Sequence, residues 1–380
     1  MTARGIAAAL CCLCAWGTAF SVGSRLFYLA ALFLTLLLVY SLLSVLSARF
    51  TFSCHTELPE QRVLRGDQAR VTVKYRCYAL LPGAQARMTV RLAWEERECD
   101  TVKCFFGRRA VSFDTAARFA GSALCGVREV VFGDPFLFFR LRYQNGHTVR
   151  LLCLPRVYDI GALSPAAGRE GTGVRPDTGE NAAAPEDTRL WREGDALKRV
   201  HWKLSARSRE LTVRRYETEV PRDTLIVTDF TAPSFRPDLP FSREAVCTAL
   251  LETAVSAADR AASSGLPLCI PFPDGRVFTS ERAFASGQLA EMLAGTEFGT
   301  EYDFSRLLRM MLRRSVRTGT VCVITSRLTA ATADAVCMLR LSGPSVRVYL
   351  CAEPGDEEQY GMYIRQLEKQ TVEVYYAAPV

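Results

Sequence analysis

Two apolar runs open the chain. Gly5 to Ser24 is twenty residues without a charge, and Leu26 to Ser47 adds twenty-two that are far more apolar. At ~1.5 Å per residue the second run reaches roughly 33 Å, enough to cross a hydrocarbon core of about 30 Å. Arg25 is the only charge between the runs, so the join is a tight hairpin. A cleaved signal peptide is the competing reading of the first run, because Arg4 precedes a modest apolar stretch. The second run would then remain as a single anchor, and the chain would emerge on the same side. Arg4, Arg49, Arg62 and Arg65 outnumber Arg25, which places everything after Arg49 in the cytoplasm by the positive-inside rule.

From Phe50 to about Val157 the apolar period shortens to two. Arg70-Val-Thr-Val-Lys-Tyr-Arg76 and Arg87-Met-Thr-Val-Arg-Leu-Ala-Trp94 alternate, and Val127–Phe132 and Val149–Leu154 are further strand candidates. Arg65-Gly-Asp67, Pro82-Gly83, Gly133-Asp-Pro135 and Asn145-Gly146 supply the turns. Short strands at this spacing predict an antiparallel β-sandwich. His55 and His147 have no partner nearby in sequence, and Cys99 and Cys104 are too isolated for a zinc site.

Ala162 to Pro185 reads as a linker, rich in alanine, with Gly168, Gly171, Gly173 and Gly179 among Pro165, Pro176 and Pro185. No Gly-Lys-Ser/Thr ending follows these glycines, which excludes a P-loop. The next segment is dense in chemistry. Asp187 to Glu217 holds nine basic and five acidic side chains, with Trp191, His201 and Trp202 among them. Asp195 stands where a helix would start, with Leu197, Val200 and Leu204 as its apolar stripe. Asp195 and His201 can be read as an acid/base pair, or as a cap and a surface clasp. The structural reading is preferred, because a hydrolytic site also needs a nucleophile and an oxyanion donor. Leu211-Thr-Val-Arg214 reads as a short strand.

Beyond Arg222 strands and helices alternate. Thr224–Thr228, Leu266–Phe272, Arg276–Thr279, Thr320–Thr325, Ser345–Cys351 and Thr371–Tyr376 have strand patterns. Ser242–Ser264, Arg282–Leu293 and Phe304–Arg314 have helical ones, with further helices reaching Leu341 and preceding Thr371. This order predicts a mostly parallel sheet with helices on both faces. Ligands in such sheets sit at the carboxyl ends of strands, which singles out Asp229-Phe-Thr-Ala-Pro-Ser234.

Composition narrows the classes. The 380 residues are too many for one ordinary domain. An apolar fraction of 49% excludes bulk disorder, and a mean hydropathy of +0.07 suits a chain partly in lipid. The 14 cysteines lack paired spacing and suit a reducing compartment. The net charge of +7 comes from arginines interleaved with acids rather than gathered on one element, so no nucleic-acid surface is expected.

Gly194-Asp195, Arg199, Trp202 and Ser205-Ala206-Arg207 resemble the signature of the domain-of-unknown-function 58 family, roughly Gly-Asp-x-x-Arg-x-Ile-Asp-Trp-x-x-Ser-Ala-Arg. Arg189 opens the segment, and Glu217 and Glu219 match its acidic end. Asp134-Pro-Phe-Leu-Phe-Phe139 and Leu154-Pro-Arg-Val157 resemble two further stretches of the family. Two positions depart: His201 stands where the family usually has an aspartate, and Trp191 where it often has a tyrosine. The resemblance implies a transmembrane hairpin (1–49), a β-sandwich (50–157), a linker with the signature (158–222) and an α/β von Willebrand factor type A-like domain (223–380).

In that domain type an Asp-x-Ser-x-Ser motif holds a divalent cation. Here Asp229, Thr231 and Ser234 would form a degenerate version, with Pro233 in the second serine's place and Thr325-Ser326 where an acid is common. Mg²⁺ would be the ion suited to such hard oxygen ligands; the expectation is that no cofactor is needed. The resemblance also implies a MoxR-type AAA+ ATPase partner and association with transglutaminase-like membrane proteins. The chain itself has no ATP motif. The expected function is a membrane-anchored, non-enzymatic scaffold. The alternatives are a metal-dependent adhesion module at Asp229 and a hydrolase using Asp195 and His201.

Overall fold

The computed structural model describes residues 2–77, 84–103, 107–144, 147–162, 185–192, 200–208, 210–216, 223–280, 286–315, 318–352 and 357–378. The chain divides into two units, Met1–Arg156 with Ala290–Glu297, and Val157–Leu289 with Phe298–Val380.

The first unit begins with α1 (Ala3–Val22) and α2 (Arg25–Thr51). Both are long and apolar enough to cross a membrane. Thr2 caps α1 by accepting the Gly5 N–H at 3.2 Å, and Gly23 ends it in the left-handed region at φ 65°, where glycine pays no steric penalty. α2 is longer than its apolar run. Its early turns expose Leu26, Leu29, Leu32, Phe33 and Leu36, whereas Val45 and Ala48 near its end, with Phe52 just beyond, are buried in the core of the β-strands. Burying side chains such as Val45 and Phe52 contributes about 1.5–3 kcal/mol each. One continuous helix therefore links the apolar hairpin to a packed β-unit.

Two sheets share that core. The first has the order β1-β3-β6, from β1 (Ser53–Glu57), β3 (Gln68–Cys77) and β6 (Gly107–Ala116). The second runs β2-β9-β7-β4-β5, with β8 on β7; its strands are β2 (Arg62–Leu64), β4 (Gln85–Leu92), β5 (Glu95–Lys103), β7 (Gly121–Gly133), β8 (Arg140–Gln144) and β9 (Thr148–Leu154). Val71 and Val73 of β3 meet Met88, Val90, Val127 and Phe132 from the other sheet in one apolar cluster. The four strand candidates of this region each fall on an observed strand. β1, β2, β5, β6 and β8 were not expected. β1 buries only Thr56, and β5 carries charges along a sheet edge, which blunts the period-two signal. Pairing is antiparallel except between β2 and β9. The long β7 changes partner along its length at Gly126 (φ 151°), where a Cβ would lie 2.8 Å from the His147 carbonyl oxygen.

The second unit holds η1 (Ile160–Ala162), a two-stranded pair of β10 (Pro185–Leu190) and β11 (Thr212–Tyr216), α3 (Trp202–Ser208), and a six-stranded sheet. That sheet has the order β14-β13-β12-β15-β16-β17. Its strands are β12 (Thr224–Thr228), β13 (Leu268–Pro271), β14 (Val277–Ser280), β15 (Thr320–Thr325), β16 (Ser345–Leu350) and β17 (Glu373–Tyr376). All pairings are parallel except the β13–β14 hairpin at one edge.

α4 (Ser242–Ser263), α5 (Ser286–Ala294), α6 (Phe304–Ser315), α7 (Ala330–Leu341) and α8 (Glu357–Lys369) alternate with these strands. Leu225, Val227, Val321, Val323, Val346 and Val348 face Leu308, Val336, Leu339, Ile364 and Leu367 of α6, α7 and α8. The intervening Ile226, Cys322 and Ile324 are also buried, on the opposite face, where α4 lies against β12, β13 and β15. Burial on both faces explains why these strands read as continuous apolar runs. The start of the expected linker is itself packed: the Tyr158 N–H donates to Ser256 Oγ at 3.0 Å, and Tyr158 Oη lies 2.7 Å from Thr253 Oγ1.

Candidate functional site

In this sheet the first strand, β12, lies between β13 and β15, so the chain runs outward in opposite directions from that point. A ligand crevice in open α/β sheets forms at such a switch point, at the carboxyl ends of the strands. Asp229 follows β12 directly, and Thr325 ends β15. The Asp229 N–H donates to the Ile324 carbonyl at 2.8 Å, which holds the two strand ends together.

Asp229 is 3% exposed. Its Oδ1 accepts from the Thr231 N–H at 3.0 Å and from Thr231 Oγ1 at 2.6 Å. Its Oδ2 accepts from Thr325 Oγ1 at 2.9 Å. Ser234 does not join this group; its N–H donates to Ser326 Oγ at 3.1 Å. A tyrosine completes the surroundings. The Phe230 N–H donates to Tyr302 Oη at 2.9 Å. Burial pushes the Tyr302 phenol well above its usual range, against the lowering effect of the Phe230 N–H, and the nearby Asp229 charge adds to the rise. The phenol therefore stays neutral.

The donor set does not fit Mg²⁺. Both Asp229 oxygens are already occupied, by two hydroxyls and one main-chain N–H that point their hydrogens at the carboxylate. Octahedral Mg²⁺ needs lone pairs, and more than one carboxylate charge or phosphate to offset its dehydration. Among the described residues no three His, Cys, Asp or Glu side chains gather to ligate a metal. The arrangement does what a buried Asx turn does: it fixes the 229–231 loop and ties it to the end of β15.

The signature segment is resolved into local structure at its carboxyl half. Gly194, Asp195, Arg199 and Glu217 lie outside the described residues. Arg189 is in β10, paired with Val213 of β11. A helix through Val200 was expected; instead Val200 forms a β-bridge with Val213, and the helix starts at Trp202. The bridge holds the Val200 main chain extended beside β11, so the helix can begin only after it. His201 precedes α3 as its cap: its Nδ1 accepts the Leu204 N–H at 3.2 Å, and its own N–H donates to the Thr212 carbonyl at 2.8 Å. Ser205 is buried and receives the Thr212 N–H on Oγ at 2.8 Å. His201 and Ser205 therefore staple α3 to β11. Ala206 and Arg207 are exposed, and so is Trp202, at 62%.

Sequence reasoning missed two residues that close these sites. Thr325 was noted only as a missing acid, yet its hydroxyl binds Asp229. Tyr302 carries no local signal, because its partner is 72 positions away. Asp134 was read as a turn signal and as the first residue of a stretch that resembles the family, without a role for its carboxylate. It is fully buried, with Oδ1 accepting the Phe139 N–H at 2.7 Å and Oδ2 accepting the Phe136 N–H at 3.0 Å and the Ser41 hydroxyl.

Fold and site define a doubly wound α/β domain in a chain that begins with two apolar helices. Residues 187–354 match the family model described as "Protein of unknown function DUF58", which supports the resemblance drawn from the signature segment. No curated protein matches the chain. Among solved structures it is similar to a β-glucosidase, EmGH1, from Erythrobacter marinus, at 14% identity over 27% of this chain and 15% of that one, with a TM-score of 0.19. It is similar to the CARDB domain of the PF1109 protein from Pyrococcus furiosus at 8% identity, over 27% of this chain and 84% of that one, with a TM-score of 0.19. Cwp6 from Clostridium difficile matches at 9% identity over 86% of this chain and 37% of that one, with a TM-score of 0.18. TM-scores this low carry no argument about fold or activity.

Proposed function

We propose that this chain is a membrane-anchored, non-enzymatic scaffold that holds an α/β docking domain in the cytoplasm for a MoxR-type AAA+ ATPase. The observation that carries the anchored part is α2, whose early turns expose leucine and phenylalanine and whose end packs inside the β-unit. Such a helix mounts a rigid platform on a bilayer. In this reading the two sheets of the first unit form a β-sandwich. The α/β domain is von Willebrand factor type A-like, which the strand order with an antiparallel β14 edge supports.

The docking part rests on the signature segment. Leu190, Trp202 and Leu211 are 58%, 62% and 42% exposed, with Lys203 and Arg207 exposed beside Trp202 on α3. Exposed tryptophan and arginine together are the common anchors of protein interfaces. The hydrolase alternative is weakened because His201 Nδ1 already accepts a main-chain N–H. The adhesion alternative is weakened by the internal pairing of Asp229.

The test is capture of the detergent-solubilised protein from its native membranes, with and without ATP and Mg²⁺, followed by mass spectrometry. An ATP-sensitive AAA+ ATPase that is lost from Trp202→Ala supports the proposal. Capture that needs Mg²⁺ alone and fails in Asp229→Asn overturns it in favour of the adhesion site.

A further inference from the structure

The Asp134–Phe139 stretch joins β7 to β8 and exposes apolar side chains. Pro135 is exposed, Phe136 is 43% exposed and Leu137 is 42% exposed. The Phe136 and Phe138 rings stack with centroids 5.6 Å apart. The loop is fastened to both apolar helices. Thr2 donates from its N–H to the Phe138 carbonyl at 3.0 Å and from its hydroxyl to the Leu137 carbonyl at 2.5 Å. Ser41 of α2 donates to Asp134. Gly5 is required at this contact, since a Cβ there would stand 2.1 Å from the Phe138 carbonyl oxygen.

Height along the hairpin decides what faces this loop. From Arg25 to Ser41 the helix rises only about 24 Å, at ~1.5 Å per residue, against a hydrocarbon core of about 30 Å. With Arg25 at the far headgroups, the level of Ser41 has not yet cleared the near boundary of the acyl chains. The loop fixed to Ser41 and Thr2 is therefore at that boundary. Its polar groups are closed as that position demands. The N–H groups of Phe136 and Phe139 are held by the Asp134 carboxylate, that of Leu137 by the Asp134 carbonyl, and the carbonyls of Leu137 and Phe138 by Thr2. Loop backbone paired in this way can approach lipid without the cost of bare amides. Arg4 and Arg140 flank it, both exposed, and suit the headgroup phosphates.

We propose that the Pro135–Leu137 loop is a third membrane contact, seating Phe136 and Leu137 in the interfacial zone of the leaflet where α2 leaves the bilayer. This rests on the reading of α1 and α2 as membrane spans. The loop then fixes the tilt of the β-unit against the bilayer, which a single helix exit would leave free.

The test places the photo-crosslinker p-benzoylphenylalanine singly at Phe136, Phe33 or Phe235 of the full chain. Each purified protein is reconstituted into vesicles of phosphatidylcholine and phosphatidylglycerol, irradiated and analysed by mass spectrometry for added lipid mass. Phe33 lies on α2 and reports the spans; Phe235, 45% exposed in the α/β domain, reports background. The expected result is lipid mass at positions 136 and 33 and none at 235. Lipid at 33 without lipid at 136, or protein–protein adducts at 136, overturns the loop contact while leaving the spans intact. Absence of lipid at both 33 and 136 overturns the spans themselves, and the loop contact with them.

Discussion

Asp229 gives the sharpest test of whether the switch point is built for structure or for a cation. Asp229→Ala removes the acceptor of three donors. Thr325 Oγ1 has a second acceptor within reach, the Arg327 carbonyl at 2.9 Å. The Thr231 N–H and hydroxyl lose their partner outright. An unpaired buried donor costs about 1–3 kcal/mol, and neighbouring losses are not additive, so the total expected is about 2–4 kcal/mol. At about 2–4 °C per kcal/mol for a domain of this size, the apparent Tm of the α/β unit should fall by roughly 5–15 °C.

Asp229→Asn should behave differently. Its amide oxygen still accepts from Thr231, and its amide N–H can donate to Thr325 Oγ1 once that hydroxyl turns to Arg327. The cost should be about 1 kcal/mol, a single neutral-for-charged exchange. The assay is thermal unfolding of the full chain in detergent, followed by intrinsic fluorescence, with excess Mg²⁺ or with EDTA. The structural reading predicts the order wild type, Asn, Ala, and no Mg²⁺ dependence. A wild-type Tm raised by Mg²⁺ and an Asn variant that no longer responds would refute it. So would an Ala variant as stable as wild type.

Three further outcomes follow from other parts of the fold. Ser205→Ala leaves the buried Thr212 N–H without its acceptor, a loss of about 1–3 kcal/mol; hydrogen exchange at Thr212 should speed up, and unchanged exchange would remove Ser205 as the staple. Burial pushes the thiols of Cys153 and Cys351 up to about 12 and that of Cys322 up to about 11. Iodoacetamide at pH 8 should therefore spare these three in the folded protein and modify them after denaturation, as read by peptide mass spectrometry. Asp303 caps α6 and is held below its ordinary value of 3.8, chiefly by the Ser305 hydroxyl. A depressed carboxylate stabilises above its unfolded value and loses that contribution as pH falls through its folded one. Asp303→Ala should thus lower Tm at pH 7, with the deficit closing below pH 3.8; a deficit that persists in acid would assign the loss to packing instead.

How much was legible from sequence follows the range over which each signal acts. β12 and β15 were found to the residue, because strands buried on both faces are short unbroken apolar runs with sharp polar ends. α4 was found to within one residue for a similar reason: its apolar face repeats over more than five turns. β1 and β8 were missed because they bury little, and β5 because its edge position tolerates a run of charges. These strands owe their existence to partners far away in sequence rather than to their own pattern. The same distinction separates the halves of the site. Asp229 was visible because a carboxylate directly after a buried strand is unusual by itself. Thr325 was discounted, because a threonine at a strand end signals nothing until Asp229 is placed 2.9 Å from it.

The end of α2 makes the point for the membrane-proximal part. Hydropathy measures how long an apolar run is and not what covers it, so Leu26–Ser47 read as one uniform span. From Ser41 onward the structure distinguishes two sides of that run. Leu26, Leu29, Leu32, Phe33 and Leu36 are open, and Leu42 and Leu43 stay open on one side of the helix, while Ser41, Ser44, Val45 and Ala48 are buried on the other, the last two among the β-strands. Ser41 is polar, and its hydroxyl is spent on Asp134, a carboxylate 93 positions away. A serine inside an apolar helix is tolerated when its hydroxyl bonds back to its own turn. Here it is instead a joint, because a buried carboxylate must find donors and α2 supplies one at the level where the hairpin meets the β-unit. Ser41 therefore ties one side of α2 to the packed β-unit before the apolar run ends.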